Sequence, residues 1–357
     1  MKKLSDVPED FMEECRWINE IFNERLEKVE VYFVLNGSNE ELAIGELKAL
    51  LETYDFNNQL KCTTMVCTTE VPLRLLDVIM RRSGFLREAG IYLGEDDPLN
   101  PRLEIQAFLN DVKGWIHASV MKKTVSENVV APYLSLFSSK TRLGFNYSKG
   151  CEVRLLFSDN RVVVGVKTHK HRDFWTRRGR FYKPFDRSIA LNPRIAVAMV
   201  NLARVRPGHV LIDPFAGTGT IPIIASFFGI ASIGIDLDWS LAHGMLVNLK
   251  YYGSNAIPIL GDSTTLALVG ADAVVTDPPY GRGASTHGES IHLLYSMFIH
   301  KILDWVKPKA YAVFIAPSHL EYFVEDKLRE EGLYLVNKYY DYVHSSLTRA
   351  VYVVRHD

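Results

Sequence analysis

From residue 193 onward, short apolar runs alternate with helical patterns, and this alternation constrains the fold more than any other feature of the chain. The runs fall at 210–213, 232–236, 257–260, 273–276, 310–316, 333–342 and 348–354. Helical patterns, such as those at 240–252 and 290–306, separate the first five. Continuously apolar strands that alternate with helices are covered on both faces, which makes a parallel sheet. The last two runs leave no room for a helix between them, so they are expected as an antiparallel hairpin. The helix ahead of the first strand starts at Asn192-Pro193, a capping side chain followed by a proline whose missing N–H costs nothing there. These signals predict a doubly wound α/β domain over 189–357, with a seven-stranded, mostly parallel sheet.

The first half reads differently. A strand at 31–35, a helix at 40–52, a strand at 62–68 and a helix at 72–82 make a small α+β region within 1–100, preceded by an amphipathic helix over 1–25. A further unit over 101–170 ends in strands at 152–157 and 162–167, joined by the turn sequence Ser158-Asp159-Asn160. The segment 171–188 is the expected linker. At 357 residues the chain accommodates two or three such domains. No apolar run approaches the roughly 20 residues that span a bilayer. The charged N-terminus fits neither a signal nor a transit peptide. Cys15, Cys62, Cys67 and Cys151 lack metal-ligand spacing and are too few for a disulfide scaffold, so a reducing cytoplasm is expected. Cys62 and Cys67 read as structural residues of one strand, and Trp115 and Trp239 as packing residues. His169 and His171 alternate as on a strand face but lack a third ligand, so no metal is expected.

The net charge of −1 conceals an asymmetry. Between Lys122 and Lys183 stand fourteen Lys or Arg and four Asp or Glu, a local balance of +10. Aromatics are interleaved with the cations in Lys167, His169, Lys170, His171, Arg172, Phe174, Trp175, Arg177, Arg178, Arg180, Phe181, Tyr182 and Lys183. Cations neutralise phosphates and planar rings stack on unpaired bases, so a nucleic-acid contact is expected here. A solvated basic face is the plainer alternative.

Asp213 runs directly into Pro214, Phe215, Ala216, Gly217, Thr218, Gly219 and Thr220, ahead of a helix. Glycines in a strand-to-helix turn let a ligand approach the backbone, and sheets of this kind bind nucleotides at the carboxyl ends of their strands. The turn lacks the third glycine of a dinucleotide fingerprint, since Pro222 stands there, and it lacks the GxxxxGK of a phosphate loop. Asp236 closes the next strand, where a carboxylate can accept both hydroxyls of a ribose. Asp262 follows the third strand, where it can receive an adenine amino group. Three acids and no phosphate-binding cation imply a nucleoside without a phosphate chain. S-adenosylmethionine, a nucleoside with a positive sulfonium, matches.

The fourth strand delivers Asp277-Pro278-Pro279-Tyr280-Gly281, the most specific signal in the chain. Exocyclic amino groups of bases are poor nucleophiles because their lone pair is delocalised into the ring. Two acceptors that hold the two N–H bonds, the Asp277 carboxylate and the Pro278 carbonyl, would localise that pair and aim it. Consecutive prolines fix the backbone so that the carbonyl faces the site. Asp277 is also placed to take the proton that the nitrogen sheds. Tyr280 would stack on a target base that has left its own stack.

These two turns, in this order, resemble the class I, Rossmann-like amino-methyltransferases that carry a (D/N)PPY motif. More narrowly, Met199-Val-Asn-Leu-Ala203, the run from Asp277 to Arg282, and His344-Ser-Ser-Leu-Thr-Arg349 resemble the tRNA guanine-10 N2-methyltransferases that carry a THUMP domain. The resemblance covers 190–357, and more loosely a ferredoxin-like region followed by a THUMP-like domain at 101–170. It implies that guanine 10 of tRNA becomes N2-methyl- or N2,N2-dimethylguanosine, with THUMP gripping the acceptor end. By this resemblance Pro279, Arg282, His344 and Arg349 join Lys167, Arg172, Arg177, Arg178 and Arg180 on the RNA side. Read without it, the 344–349 segment is the turn of the last hairpin, with two polar residues between apolar strands. A DNA adenine-N6 or cytosine-N4 methyltransferase shares the Asp-Pro-Pro-Tyr chemistry, but a compact α+β module with a basic tail suits RNA shape more than a DNA groove. Protein-glutamine methyltransferases typically carry Asn at the position of Asp277. A non-catalytic RNA-binding protein would not need Asp213, Asp236, Asp262, Asp277 and Tyr280 together. A monomer is the expected state.

Overall fold

The computed structural model describes residues 28–102, 109, 112–146, 150–170, 181–186, 191–280, 291–344 and 347–357. The expected N-terminal helix, Arg172, Arg177, Arg178, Arg180 and Arg282 lie outside the described residues, as does the side chain of His344. The chain separates into two compact units. One comprises Met1–Ile44, Phe56–Arg81 and Phe85–Arg172; the other comprises Asp173–Asp357 together with Gly45–Asp55 and Arg82–Gly84.

The first unit is built on one seven-stranded sheet, ordered β2-β3-β1-β4-β7-β6-β5. The elements up to Lys170 are β1 (Val29–Leu35), α1 (Glu40–Thr53), β2 (Lys61–Thr63), β3 (Val66–Val71), α2 (Leu73–Arg82), β4 (Leu86–Asp96), β5 (Gly114–Val120), α3 (Glu127–Ser139), β6 (Cys151–Ser158) and β7 (Arg161–Lys170), of which α1 from Gly45 onward and Arg82 of α2 count with the other unit. All neighbours are antiparallel except β5 and β6. Strands on either side of residue 101 share the sheet, since β4 pairs with β7 along its length. That approach needs Gly90, where a Cβ would lie 2.1 Å from the Val166 carbonyl oxygen. The single strand expected at 62–68 is instead a hairpin, broken at Met65, whose φ of 68° turns the chain. Cys62 and Cys67 face each other across it and are joined by a disulfide, with Cα atoms 4.1 Å apart. Spacing along one strand cannot reveal a partner that only a turn creates.

The second unit has the predicted seven-stranded sheet, ordered β10-β9-β8-β11-β12-β14-β13. It contains α4 (Pro193–Leu202), β8 (Val210–Asp213), α5 (Thr220–Phe227), β9 (Ala231–Asp236), α6 (Trp239–Tyr252), β10 (Ile257–Leu260), β11 (Ala271–Thr276), α7 (Ile291–Trp305), β12 (Val306–Pro317), α8 (Glu321–Glu330), β13 (Leu333–His344) and β14 (Leu347–His356). Strands β10, β9, β8, β11 and β12 run parallel, while β13 and β14 form the expected antiparallel hairpin, with β14 against β12. Asn192 caps α4 as its sequence foretold, with its side chain accepting the Arg194 N–H and Pro193 in the first turn. Asp238 caps α6 by accepting the Leu241 N–H at 3.0 Å. Aromatic packing centres on Phe298 of α7, in edge-on contact with Phe314 and Phe215. Trp239 does not pack in this core: it is 66% exposed and stacks on His243. The strand order reverses between β8 and β11, the position at which sheets of this kind bind ligands beyond the carboxyl ends of their strands.

Candidate active site

Both turns singled out in the sequence meet at that reversal. Asp213 ends β8 and Thr276 ends β11, and the Thr276 hydroxyl donates to the Asp213 carboxylate at 2.6 Å. The Phe215 N–H reaches both the carboxylate of Asp213 and the Thr276 hydroxyl oxygen. Asp213 is 1% exposed, and burial pushes its carboxyl up to about 8, against the pull of the Thr276 and Phe215 hydrogen bonds. An acid held this way would ionise readily beside a bound cation. Thr276 was not foreseen in the sequence, because threonine at the end of an apolar strand carries no signal of its own.

The glycine turn is fixed from the second strand. Asp236, at the end of β9, accepts the Gly217 N–H on one carboxylate oxygen and the Asp238 N–H on the other, at 2.8 and 2.9 Å. Gly217 and Gly219 have φ of 53° and 83°, the left-handed region where a side chain is strained. At Gly219 an added Cβ would also lie 2.8 Å from the Met245 side chain. Phe215 turns its ring onto Phe298, so what it offers a ligand is backbone. Asp262 follows β10, with one carboxylate oxygen holding the Thr264 N–H and hydroxyl at 2.9 and 2.7 Å.

Thr218 and Thr220 flank Gly219 and are buried. Both hydroxyls accept from the Lys183 ammonium, at 2.6 and 2.9 Å. In the sequence Lys183 counts with the basic tract. The fold removes it from that group and sets it beneath the glycine turn, a placement that charge patterning cannot show.

At the end of β11 the Asp277-Pro278-Pro279-Tyr280 turn carries a polar chain. The Tyr280 hydroxyl donates to Asp277, and one Arg349 nitrogen donates to the Tyr280 oxygen at 3.1 Å. Another Arg349 nitrogen donates to Asp341 at 2.8 Å, and the guanidinium stands 3.8 Å from the Asp277 carboxylate. Cross-strand pairing of Asp341 with Arg349 in the last hairpin aligns this pair, and Arg349 also lies opposite Pro317 of β12. Arg349 thus leaves the hairpin turn and faces the Asp277–Tyr280 turn, while Asp341 is a member that the sequence did not disclose. Burial raises the Asp277 carboxyl, and the Arg349 charge and the Tyr280 hydrogen bond draw it back down. Tyr280 holds its proton well above the ordinary phenol range, through burial and the Asp277 charge.

Part of the described basic tract is paired with carboxylates. Lys122 pairs with Glu40, Arg154 with Glu88, Arg161 with Glu95, and Lys167 with Glu152. Among the described residues no group of His, Cys, Asp and Glu could hold a metal ion, and no helix is long and apolar enough to cross a membrane.

Residues 180–349 match the family UPF0020, described as an RMKL-like methyltransferase domain. A tRNA (guanine(10)-N2)-dimethyltransferase of Methanocaldococcus jannaschii is 28% identical over 367 residues, covering 90% of this chain and 99% of the relative. A probable tRNA (guanine(10)-N2)-dimethyltransferase of Methanothermococcus thermolithotrophicus is 33% identical over 172 residues, covering 45% of this chain and 98% of the relative. Among solved structures, TrmN from Thermus thermophilus aligns with a TM-score of 0.52 at 17% identity, over 92% of this chain and all of that one, a likeness of fold.

Proposed function

The chain belongs to the tRNA (guanine(10)-N2)-methyltransferase family, and from that membership we propose that it methylates the N2 amino group of guanine 10 in tRNA at the Asp277-Pro278 turn. The observation that carries this reading is the meeting of that turn, at the end of β11, with the glycine turn at the end of the neighbouring β8.

The residues fit S-adenosylmethionine. The positive-φ glycines leave backbone open to a close ligand, and Asp213, Asp236 and Asp262 stand at the ends of three adjacent strands. When bound, the cofactor supplies a methyl group on a positively charged sulfur. Asp236 would hold the ribose hydroxyls, Asp262 the adenine, and the buried Asp213 would face the positive end. Thr218 and Thr220 line the same turn.

Asp277 and the Pro278 carbonyl accept the two N–H bonds of the target amine, which pulls its lone pair out of the ring. The Tyr280 hydroxyl now bonded to Asp277 must give way to that amine. Tyr280, released, is then available to stack on the extruded guanine, with Pro279 beside it. Arg349 keeps Asp277 ionised for its acceptor role. Arg282 and His344 belong by the family resemblance to the RNA side of this pocket. A second round on the same nitrogen yields the dimethyl product.

Lys167 is engaged by Glu152, and the larger share of phosphate contact is assigned to Arg172, Arg177, Arg178 and Arg180, the cations interleaved with aromatics in the sequence. Replacing Arg177 and Arg178 by Ala is expected to weaken tRNA binding and to flatten the slope of log affinity against log salt by about 1 to 2, at roughly one phosphate per cation. Filter binding across a salt series measures this. A slope that is flat in the wild type, or untouched in the variant, would remove this tract from the RNA contact.

A further inference from the structure

Three aromatic side chains of the second unit are exposed around one residue that neither the glycine turn nor the Asp277–Tyr280 turn uses: Tyr182 at 63%, Phe227 at 46% and Tyr251 at 60%. We propose that they form a stacking platform for an unpaired nucleobase of the substrate RNA, at a distance from the guanine that is methylated. The inference rests on the RNA reading given above and adds a contact to it.

The residue they surround is Tyr252, the last of α6. Its ring stacks on Phe181, with centroids 5.7 Å apart and planes 14° from parallel, and it meets Phe227 of α5 and Tyr251 edge-on at 5.4 and 5.1 Å. The Tyr182 N–H donates to the Tyr252 hydroxyl oxygen at 2.9 Å, and that hydroxyl donates back to the Tyr182 carbonyl. Asn248, one turn earlier in α6, holds Phe185 in the same way, accepting its N–H at 2.9 Å and donating to its carbonyl at 2.7 Å. The segment that follows the arginine tract is therefore fixed along α6. Phe181 is consumed by this packing at 7% exposed, whereas the Tyr182 ring stays open to solvent and meets Tyr251 edge-on at 6.1 Å. A hydrogen bond between the Ser226 and Ser254 hydroxyls ties the ends of α5 and α6 together. Rings held this way lose little further freedom when a base stacks on them.

Charge decides which partner suits this surface. No Asp or Glu occurs in 174–185, 214–235 or 239–261, the segments that supply the platform, while Arg177, Arg178, Arg180 and Lys250 do occur there. Arg180 directly precedes Phe181, so the arginine tract runs into the platform along the chain, and Lys250 is exposed beside Tyr251. An apolar protein partner would need no such bias, whereas a polyanion does. The ends of α5 and α6 present carbonyls, which disfavour phosphate and can accept from the amino groups of bases. Rings and carbonyls thus suit the base, and the arginines suit the phosphates that flank it. α6 starts beside Asp236 and ends at Tyr252, which sets the platform about 20 Å from the carboxyl ends of the strands at about 1.5 Å per residue. A base held there belongs to another nucleotide of the same RNA.

Filter binding of an unmodified tRNA transcript to the full chain tests this with Tyr251→Leu, Tyr251→Phe and Tyr182→Leu. Leucine keeps apolar bulk and removes the planar face, while phenylalanine keeps the face. Both leucine variants are expected to weaken binding by about fivefold to a hundredfold, and Tyr251→Phe to stay within about twofold of the wild type. The slope of log affinity against log salt should be that of the wild type in all three, because a ring releases no counterions. Leucine variants that bind tRNA as the wild type does would overturn the proposal, and methylation of tRNA by that wild type would leave the guanine reading standing. Equal losses in Tyr251→Phe and Tyr251→Leu, or a flattened salt slope, would overturn stacking as the contact. A molar mass by light scattering that falls from the wild type to the leucine variants would make the patch an interface between copies of this chain and overturn the proposal as well. A wild type that binds no tRNA would overturn the RNA reading, and the proposal with it.

Discussion

Replacing Asp277 by Ala is expected to lower methyl transfer by at least about a thousandfold, the upper range for losing a positioned base or charge-stabilising group. Binding of S-adenosylhomocysteine and of tRNA should stay within about twofold, because such an interaction matters only as the reaction proceeds. The loss is large because no other acidic side chain at the turn can take over. The Pro278 carbonyl alone can hold one N–H of the amine, which leaves the lone pair conjugated with the ring. The fold should tolerate the change, since Arg349 keeps Asp341 at 2.8 Å and is not orphaned. Single-turnover assays alongside calorimetry separate the two effects. Activity at the wild-type level would remove Asp277 from the mechanism.

Removing the guanidinium should act through Asp277. In Arg349→Met the larger of the two influences that draw the Asp277 carboxyl downward is gone, leaving only the Tyr280 hydrogen bond against burial and the Asp341 charge, which raise it. A larger share of Asp277 is then protonated near neutral pH, and a protonated carboxyl is a poorer acceptor for the amine. Activity should fall at pH 7 and recover as pH rises, with the acid limb of the kcat profile moved up by at least about one unit. The sign also fixes the stability change. A carboxyl raised above its unfolded value binds protons more tightly when folded, so its contribution to stability is lost as pH rises through the folded value. Breaking a buried pair costs about 3–5 kcal/mol, so thermal unfolding should move to lower temperature, and more so at alkaline pH. Arg349→Lys, which keeps the charge, should restore much of the profile. An unshifted acid limb in Arg349→Met would leave the arginine a purely structural contact.

Much of the second unit was legible because its elements announce themselves locally. Asn192-Pro193 caps α4, continuous apolar runs become buried parallel strands, and a missing helix forces the final hairpin. The Asp277–Tyr280 turn stood out as the candidate catalytic turn because two consecutive prolines after an acid at a strand end have few other uses. What stayed hidden depends on register or on turns. Asp341 joins the site only because the hairpin sets it opposite Arg349. Lys183 looked like one cation among fourteen until the fold buried it, and charge counting cannot separate a solvated cation from a buried one. In the first unit β4 escaped detection because Arg87, Glu88, Gly90, Gly94 and Glu95 interrupt its alternation. The β2–β3 hairpin was read as one strand because Thr64-Met65 is a poor turn sequence, and its disulfide was hidden with it.

Incubating unmodified tRNA with the protein and S-adenosylmethionine, then digesting it for nucleoside mass spectrometry, tests the central claim most directly. The account predicts N2-methylguanosine, with N2,N2-dimethylguanosine as the second product, and neither in tRNA whose guanine 10 has been replaced. Methylation of adenine or cytosine, or of DNA or protein with tRNA untouched, would contradict it.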